Sequence, residues 1–374
     1  MASGYIVEWI TKPKKKRIPK IEGKNRFEKR PFRSAQLAHL PFAMARTLGD
    51  RLQAGLKRLA AKGPGQRTLD VAFVKATSHD DGPPKEKHLR TLVEASKHGT
   101  SEMQSHLAGL IESCLLESAD CVVVAKTLVI LHKVLREGGT SFRQDVFYKS
   151  FSHFFDRLGN FKDDRSRHSW QLSTFIRAHS AFLNQRCVLN SSYPCEEGGS
   201  RLGADLCPAG LVTELPLMQK AVDLGLQVGT SNDIVGGRSP RTLQGYAQHL
   251  VLADVLAIVL GMMRALPTLV ESFFATTIKT SLTEAKEMVL IYQESRDLIE
   301  RMSNLDESRL GQWGGLELKV PPQSVKESMV LEIEKIERLP PRERSASGLT
   351  DASDSSSPPR LDFEAKSFPS KDGK

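Results

Sequence analysis

The feature that most restricts the fold of this 374-residue chain is a long succession of helical apolar patterns with no strand pattern between them. Leu69, Ala72, Phe73 and Ala76 open the series with the i, i+3, i+4, i+7 spacing of one helical face. Gly, Pro or polar clusters separate the later patterns. Those patterns predict helices at 44–61, 88–97, 103–116, 119–136, 141–157, 166–188, 211–228, 242–264, 268–278, 282–302 and 324–338. The sequence therefore predicts an all-α stack of about ten helices.

The net charge of +9 is concentrated in the first 43 residues. This stretch holds eleven Lys or Arg against three acidic residues, so it carries +8 and leaves +1 for the rest of the chain. A disordered basic extension is favoured over a nuclear-localisation run or a polybasic membrane patch. The only aromatics in residues 12–33 are Phe27 and Phe32, and none is interleaved with the basic run 12–20 for stacking on bases, so no nucleic-acid partner is expected.

Enzymatic chemistry has no recognisable motif in this sequence. Neither G-x-S-x-G nor H-E-x-x-H occurs, and no Cys/His pair has a familiar catalytic spacing. His168, His179 and Trp170 are interpreted as helix surface and packing positions. We therefore expect no catalytic residues and no cofactor.

Cysteine usage and hydropathy indicate the compartment. The five cysteines lack metal-ligand spacing, which predicts no metal site, and their odd number without a secretory core in residues 1–43 favours a reducing compartment. Residues 250–263 are the most apolar segment, yet Asp254 interrupts them and they are short for a bilayer span. We interpret this segment as a buried helix.

Residues 75–89, KATSHDDGPPKEKHL, join a helix end, a polar turn and a new helix start. Gly and Pro residues in the turn stop any helix, and Pro84 suits the first position of the next one. A helix start favours acidic residues, so cations there cost stability unless an anion binds. The cations around this turn are Lys75, Lys85, Lys87 and His88.

Two interpretations of this basic turn are open from its residues. A solvated basic surface is the default for such a cluster. Free N–H groups of a helix start combined with ammonium groups also suit a multiply charged phosphate. The residue types alone do not decide between them.

The same stretch resembles the phosphoinositide motif of the ANTH domain of CALM-type clathrin assembly proteins. That motif has the form K-A-T, six residues, then P-K-x-K-H, and here KAT at 75–77 is followed after six residues by PKEKH at 84–88. Glu86 departs from the most basic versions of the motif, which have another lysine, and this implies weaker affinity. The likeness covers about 44–339 and includes segments 121–139, 142–147, 173–186 and 269–274.

The resemblance implies a fold and a division of the chain. The expected fold is a right-handed ANTH/VHS-like superhelix over 44–339, with a phosphoinositide-binding part at 66–188 and a C-terminal helical part at 211–339. Residues 1–43 and 340–374 are expected to be disordered ends, the latter because the tail is too polar to bury a core.

The resemblance also implies a function. The chain is expected to be a phosphatidylinositol 4,5-bisphosphate-binding membrane adaptor in clathrin coat assembly and clathrin-mediated endocytosis, and not an enzyme. Its inositol phosphates would be held by Lys75, Lys85, Lys87 and His88. Its expected location is cytoplasmic and peripheral, on plasma-membrane clathrin-coated pits, on clathrin-coated vesicles and at the Golgi apparatus.

The expected partners are a phosphoinositide membrane surface, clathrin and SNARE proteins. Residues 340–374 lack Asp-Pro-Phe, Asn-Pro-Phe and clathrin-box peptides, and Leu361-Asp362-Phe363-Glu364 is only a loose echo of one. Contact with clathrin is therefore expected to be indirect. The alternative function is a helical scaffold whose residues 211–338 bind SNARE or other partner helices without lipid specificity.

Overall fold

Helices account for almost all of the chain that the structure describes. The structure is a computed structural model, and it describes residues 64–143, 151–192, 208–230, 241–276, 281–305 and 318–338. The helices with full bounds in those ranges are α1 Pro64–Ala76, α2 Glu86–His98, α3 Ser101–Glu117, α4 Cys121–Glu137, α5 Phe151–Gly159, α6 Arg167–Ser192, α7 Pro208–Thr230, α8 Leu243–Thr276, α9 Leu282–Ser303 and α10 Gln323–Arg338. No strand occurs within these ranges, so the all-α prediction is confirmed.

The first four helices pack against one another and form one end of the stack. Leu69 and Ala76 of α1, Leu92 of α2 and Leu107 of α3 are at most 1% exposed. Short connections with side-chain caps begin the later helices: the Asp120 carboxylate accepts hydrogen bonds from the first-turn N–H groups of α4. These caps fix where α4 begins beside the α1–α2 turn.

The remaining helices extend the stack in chain order. Helix α6 packs on α4 and α5, α7 packs on α6, and α8 packs on both α7 and α4. Helix α9 then packs on α7 and α8, and α10 packs on α9. Because α8 also contacts α4, the two halves of the chain share one apolar core.

The prediction of two separate helices at 242–264 and 268–278 was wrong. Helix α8 runs continuously from Leu243 to Thr276 and contains Pro267. An internal proline removes one helical hydrogen bond and costs about 3 kcal/mol. Burial of the surrounding residues against neighbouring helices outweighs that cost: Val259, Met262 and Leu269 are fully buried.

Helix α8 is also longer than the apolar segment considered in the sequence. It is the one helix in the described ranges that is long and apolar enough to cross a membrane, which corrects the expectation that no segment reaches that length. However, 72% of its most apolar stretch is buried inside the protein. Its hydrophobicity is therefore that of a central packing helix.

Several sequence predictions lie outside the described residues. These include the amphipathic helix at 44–61 and the disordered ends at 1–43 and 340–374. The division of the chain into 1–43, 44–339 and 340–374 stays a prediction.

Candidate functional site

The α1–α2 turn is fixed at both ends by buried residues. Ala76 is fully buried, and the Thr77 hydroxyl donates a hydrogen bond to the Phe73 carbonyl at 2.9 Å, so α1 ends here. At the other end Pro84 is buried and Leu89 is 1% exposed. Residues 78–83, between these anchors, form an exposed or half-exposed polar loop, and we call residues 75–88, anchors included, the basic turn.

Helix α2 begins at Glu86, two residues after Pro84, which suited the first helical position, and two residues before the predicted range 88–97. Pro84 lies before the helix, Lys85 is the N-cap residue in an extended conformation, and Glu86 is the first helical residue. The Lys85 side chain makes no capping hydrogen bond. The start of α2 therefore has no side-chain acceptor at its cap, and a cation stands where an acidic or hydroxyl side chain is usual.

All four predicted site residues lie in this basic turn. Lys75, Lys85 and Lys87 are exposed, and His88 is half-buried in the first turn of α2. Partial burial lowers the pKa of His88, and the charges of Lys87, Lys75 and Lys85 lower it further. Three ammonium groups therefore act on one imidazole, a concentration of positive charge that an anion would relieve.

A buried lysine that was not identified from the sequence binds the inner side of the basic turn through Ser78 and Asp80. Lys126 lies in the middle of α4 and is fully buried. Its Nζ donates to the Ser78 carbonyl at 2.7 Å and to the Ser78 hydroxyl at 3.3 Å, and it pairs with Asp80. The signal in the sequence was a single cation inside the apolar run CVVVAKTLVIL, because a buried charge requires a partner.

Asp80 links this buried lysine to the surface cations. The hydrogen bond from Lys126 lowers the pKa of the Asp80 carboxyl, and the charge of Lys85 also favours the ionised form. The Asp80 side chain is 58% exposed, so its carboxylate is hydrated on one side and paired on the other. The charge of Lys126 is thereby balanced by Asp80, whereas the charges of Lys75, Lys85 and Lys87 remain at the surface.

Two further segments border the basic turn. Asp120 Oδ2 lies 3.2 Å from His79 Nδ1 and 3.8 Å from Arg165 Nη2. His168, near the start of α6, approaches Asp81 with 3.6 Å between Nε2 and Oδ1. The backbone N–H of Leu243 donates to the Asp81 carbonyl at 3.3 Å. The starts of α4, α6 and α8 therefore meet at this turn.

The sequence model of the ANTH domain matches residues 68–307, which include the basic turn and helices α2 to α9. The chain belongs to the ANTH domain family. Members of this family are adaptors rather than enzymes, in agreement with the sequence prediction.

Two curated relatives show how far the likeness extends. A protein of Arabidopsis thaliana named as a clathrin assembly protein is 28% identical over 311 residues, covering 78% of this chain and 52% of that protein. The clathrin coat assembly protein AP180 of Rattus norvegicus is 24% identical over 335 residues, covering 87% of this chain and 34% of AP180. The chain thus spans about half or less of the length of these relatives.

A solved structure was also matched. The ENTH domain of epsin-2 in complex with phosphatidylinositol 4,5-bisphosphate has 16% sequence identity and a TM-score of 0.45, and the match covers 69% of this chain and 97% of that domain.

Glu86, the departure from the most basic form of the ANTH motif, is turned toward α8. Burial raises the pKa of the Tyr246 phenol, and the charge of Glu86 and its hydrogen bond with the phenol raise it further. The Glu86 carboxylate therefore lies close to the start of α8 and keeps its negative charge there.

A second candidate site is a groove between α7 and α9 with a volume of about 410 Å³. Arg301 pairs with Asp223 across this groove at 2.7 Å, so its charges compensate one another. The lining has acidic and basic side chains in near balance and does not select an anion. The residues that line it are Pro216, Gln219, Lys220, Asp223, Glu294, Asp297, Leu298 and Arg301.

A buried polar network is the third candidate. His132 Nε2 lies 3.1 Å from Asp254 Oδ2, and His132 Nδ1 lies 3.1 Å from His179 Nε2. Arg136 and Arg186 each approach Asp254 at 3.5 Å. His179 is a packing residue, as predicted, because it is fully buried at the junction of α4, α6 and α8.

Proposed function

We propose that this chain is a phosphoinositide-binding membrane adaptor that acts in clathrin coat assembly. The observation that carries the proposal is the convergence of Lys75, Lys85 and Lys87 on His88 at a helix start without a side-chain cap. Membership of the ANTH family and the relatives named for clathrin assembly support the clathrin part.

The mechanism is recruitment rather than chemistry. Ammonium groups and first-turn N–H groups neutralise the ring phosphates, and each charge-assisted hydrogen bond contributes about 1.5 to 3 kcal/mol net. A bound phosphate favours the imidazolium form of His88, which the neighbouring lysines disfavour in the free protein. Because the site is exposed, one domain should bind in the micromolar range, about 8 kcal/mol, and stable residence requires many copies in a coat.

The first prediction tests the basic turn by charge reversal. Changing Lys85 and Lys87 to Glu removes two attractions to the membrane and adds two repulsions. At about 1 kcal/mol per basic residue near an anionic surface, binding to vesicles that contain phosphatidylinositol 4,5-bisphosphate should fall at least tenfold, or about 1.4 kcal/mol. The melting temperature should hold or rise, since both cations oppose the dipole of α2.

The matched control is Lys326→Glu with Lys335→Glu on α10, which changes the net charge by the same amount. Flotation should use vesicles with the phosphoinositide and vesicles of equal charge made with phosphatidylserine. The control pair should bind like the unmodified protein. Equal binding by the Lys85/Lys87 variant, or no preference for the phosphoinositide, would reject the site.

The proposal also includes the location and the protein partners expected from the sequence. The chain would act at plasma-membrane coated pits, on coated vesicles and at the Golgi apparatus, would contact clathrin indirectly and would bind SNARE proteins. The scaffold alternative, with partner helices bound by residues 211–338, would gain support if vesicle binding lacked lipid specificity.

A further inference from the structure

An exposed tryptophan lies in the first turn of α6, the helix whose start contacts the basic turn through His168. Trp170, in the first turn of α6, is 57% exposed, more than any other large hydrophobic side chain in the described ranges. The opposite face of α6 is well packed, because Leu172 is 2% exposed and Ile176 is fully buried. More than half of the Trp170 side chain is therefore free for a contact outside the core.

Contacts in the structure place the start of α6 at the same edge as the basic turn. His168 reaches Asp81 with 3.6 Å between Nε2 and Oδ1, and Asp120 lies between His79 and Arg165. These contacts are at the surface, since the side chains of Asp81 and Arg165 are 79% and 60% exposed. A membrane that meets the basic turn therefore approaches the start of α6 as well.

The surroundings of Trp170 favour lipid headgroups over a protein partner. Arg167 and Thr174 share its helical face, and Lys162 is exposed nearby in the chain. A protein-binding hot spot usually has an apolar pocket or rim around its aromatic anchor, whereas the exposed residues that precede this tryptophan are polar, with the cations Lys162, Arg165 and Arg167 against one acid, Asp164. Indole rings concentrate at the headgroup level of bilayers, where an apolar ring and a polar N–H are both accommodated.

We propose that Trp170 is a membrane-interface anchor that enters the headgroup region of the bilayer whose phosphoinositide is held by the basic turn. This inference rests on the proposed function and adds a second contact to it. The lysines supply attraction and lipid preference, and the indole adds apolar contact that a soluble headgroup cannot provide.

The experiment uses the natural distribution of tryptophans. The full chain has three, at positions 9, 170 and 313, so Trp9→Phe with Trp313→Phe leaves Trp170 as the single reporter. Vesicles would carry lipids brominated near the headgroup, with phosphatidylinositol 4,5-bisphosphate or with phosphatidylserine at equal charge. We expect a blue shift and quenching of Trp170 only when the phosphoinositide is present.

Affinity measurements give an independent readout. Trp170→Ala should weaken vesicle binding about tenfold, as expected for an aromatic side chain that loses its burial. Its affinity for soluble inositol 1,4,5-trisphosphate should stay that of the unmodified protein, because the ring does not contact the headgroup phosphates. The control is Leu290→Ala on α9, which removes a side chain of similar exposure, 56%, and should change neither value.

The outcomes separate the anchor from the underlying function. If the protein binds vesicles but Trp170 shows no quenching and Trp170→Ala binds normally, the anchor is overturned and the basic turn stands. If the unmodified protein shows no preference for the phosphoinositide, the proposed function and the anchor fail together. Quenching that is equal on phosphatidylserine vesicles would overturn the coupling to the basic turn.

Discussion

At the scale of single residues, the most consequential arrangement is a buried ammonium beneath an exposed binding loop. An ion pair between a lysine and a carboxylate in a protein interior is normally sensitive to mutation, because removal of one partner leaves the other charge buried and unpaired. Here the partner, Asp80, is 58% exposed, so water can solvate it if Lys126 is lost. Lys126 should therefore matter more for the shape of the turn than for global stability.

The second prediction follows for Lys126→Met, which fills similar space without the charge. Loss of the bonds to Ser78 should reduce the free energy of unfolding by only about 1 to 2 kcal/mol. Amide exchange in residues 77–83 should accelerate, and binding to phosphoinositide vesicles should fall severalfold because the lysines no longer converge. Thermal unfolding, hydrogen exchange and vesicle flotation measure the three effects.

Lys133→Met provides the control, since it removes one lysine from the same helix. Lys133 pairs with Glu137 at 2.7 Å and has a side chain that is 14% exposed. This variant should retain vesicle binding. A loss of more than about 4 kcal/mol in Lys126→Met would indicate a structural core residue, and undiminished vesicle binding would show that the turn holds its shape without Lys126.

The spacing of residues along the chain identifies neighbours within one turn, but it does not identify partners in distant segments. The spacing of 75–88 was sufficient to predict Lys75, Lys85, Lys87 and His88 as one cluster, because all lie in one turn. Lys126 could be recognised as anomalous in its apolar run, but its partners Ser78 and Asp80 are 48 and 46 residues away. Local periodicity gives the face of a helix and carries no information about which distant loop that face meets.

At the scale of elements, the polar network at the junction of α4, α6 and α8 is the point where helices are joined by specific bonds. If His132 Nε2–H donates to Asp254, its Nδ1 accepts from His179 Nε2–H, and the unpaired Nδ1 of His179 is then an acceptor. Burial raises the pKa of Asp254, but the hydrogen bond from His132 and the charges of Arg186 and Arg136 outweigh it, so the net pKa is lowered.

The helices could be predicted from the sequence, whereas the polar network that joins them could not. Most helices were predicted from short-range apolar spacing, and the error at Pro267 arose because a local rule was applied where tertiary packing dominates. His132 and Asp254 are 122 residues apart, so no local pattern could pair them. Asp254 was noted in the sequence only as an interruption of an apolar run.

The third prediction concerns pH and belongs to this network. Burial lowers the pKa of His179 well below its ordinary value near 6.5, and the neighbouring His132 lowers it further. Below about pH 6.5 the unfolded chain binds a proton at this position that the folded chain does not. The free energy of unfolding should therefore fall by up to about 1.4 kcal/mol per pH unit as pH drops from about 6.5 to 4.5.

Comparison of unfolding curves for the unmodified protein and His179→Gln isolates this effect. The glutamine amide can still donate to His132 but does not titrate, so the variant should lack this part of the slope. Glu214, whose pKa burial raises to about 7, contributes the opposite slope and cancels in the comparison. His98→Gln, at an exposed position on α2, should keep the slope. Identical slopes for all three proteins would contradict the assignment to His179.

At the scale of the whole molecule, α8 joins the two parts that the sequence suggested could be separate. It packs on α7 and α9 in the C-terminal part and on α4 in the phosphoinositide-binding part. Asp254 of α8 pairs with His132 of α4 and with Arg186 of α6. The backbone N–H of Leu243, also in α8, donates to the Asp81 carbonyl in the basic turn. The predicted parts at 66–188 and 211–339 should therefore behave as one folding unit.

The final prediction compares the full chain with a chain that ends at Ser192, after α6. Removal of the later helices exposes Phe182 and Leu183, both fully buried in the complete protein, and leaves His132 without its carboxylate partner. Exposing two large apolar side chains costs about 3 to 6 kcal/mol, a large part of the stability of an ordinary domain. The shortened chain should melt at a much lower temperature or fail to fold, whereas the full chain should lose helicity in one main transition. Circular dichroism and calorimetry would measure both, and vesicle flotation would show whether the basic turn survives alone. If the shortened chain kept its melting temperature and its phosphoinositide preference, residues 66–188 would be an independent binding unit and the contacts of α8 with α4 and Asp81 would be dispensable.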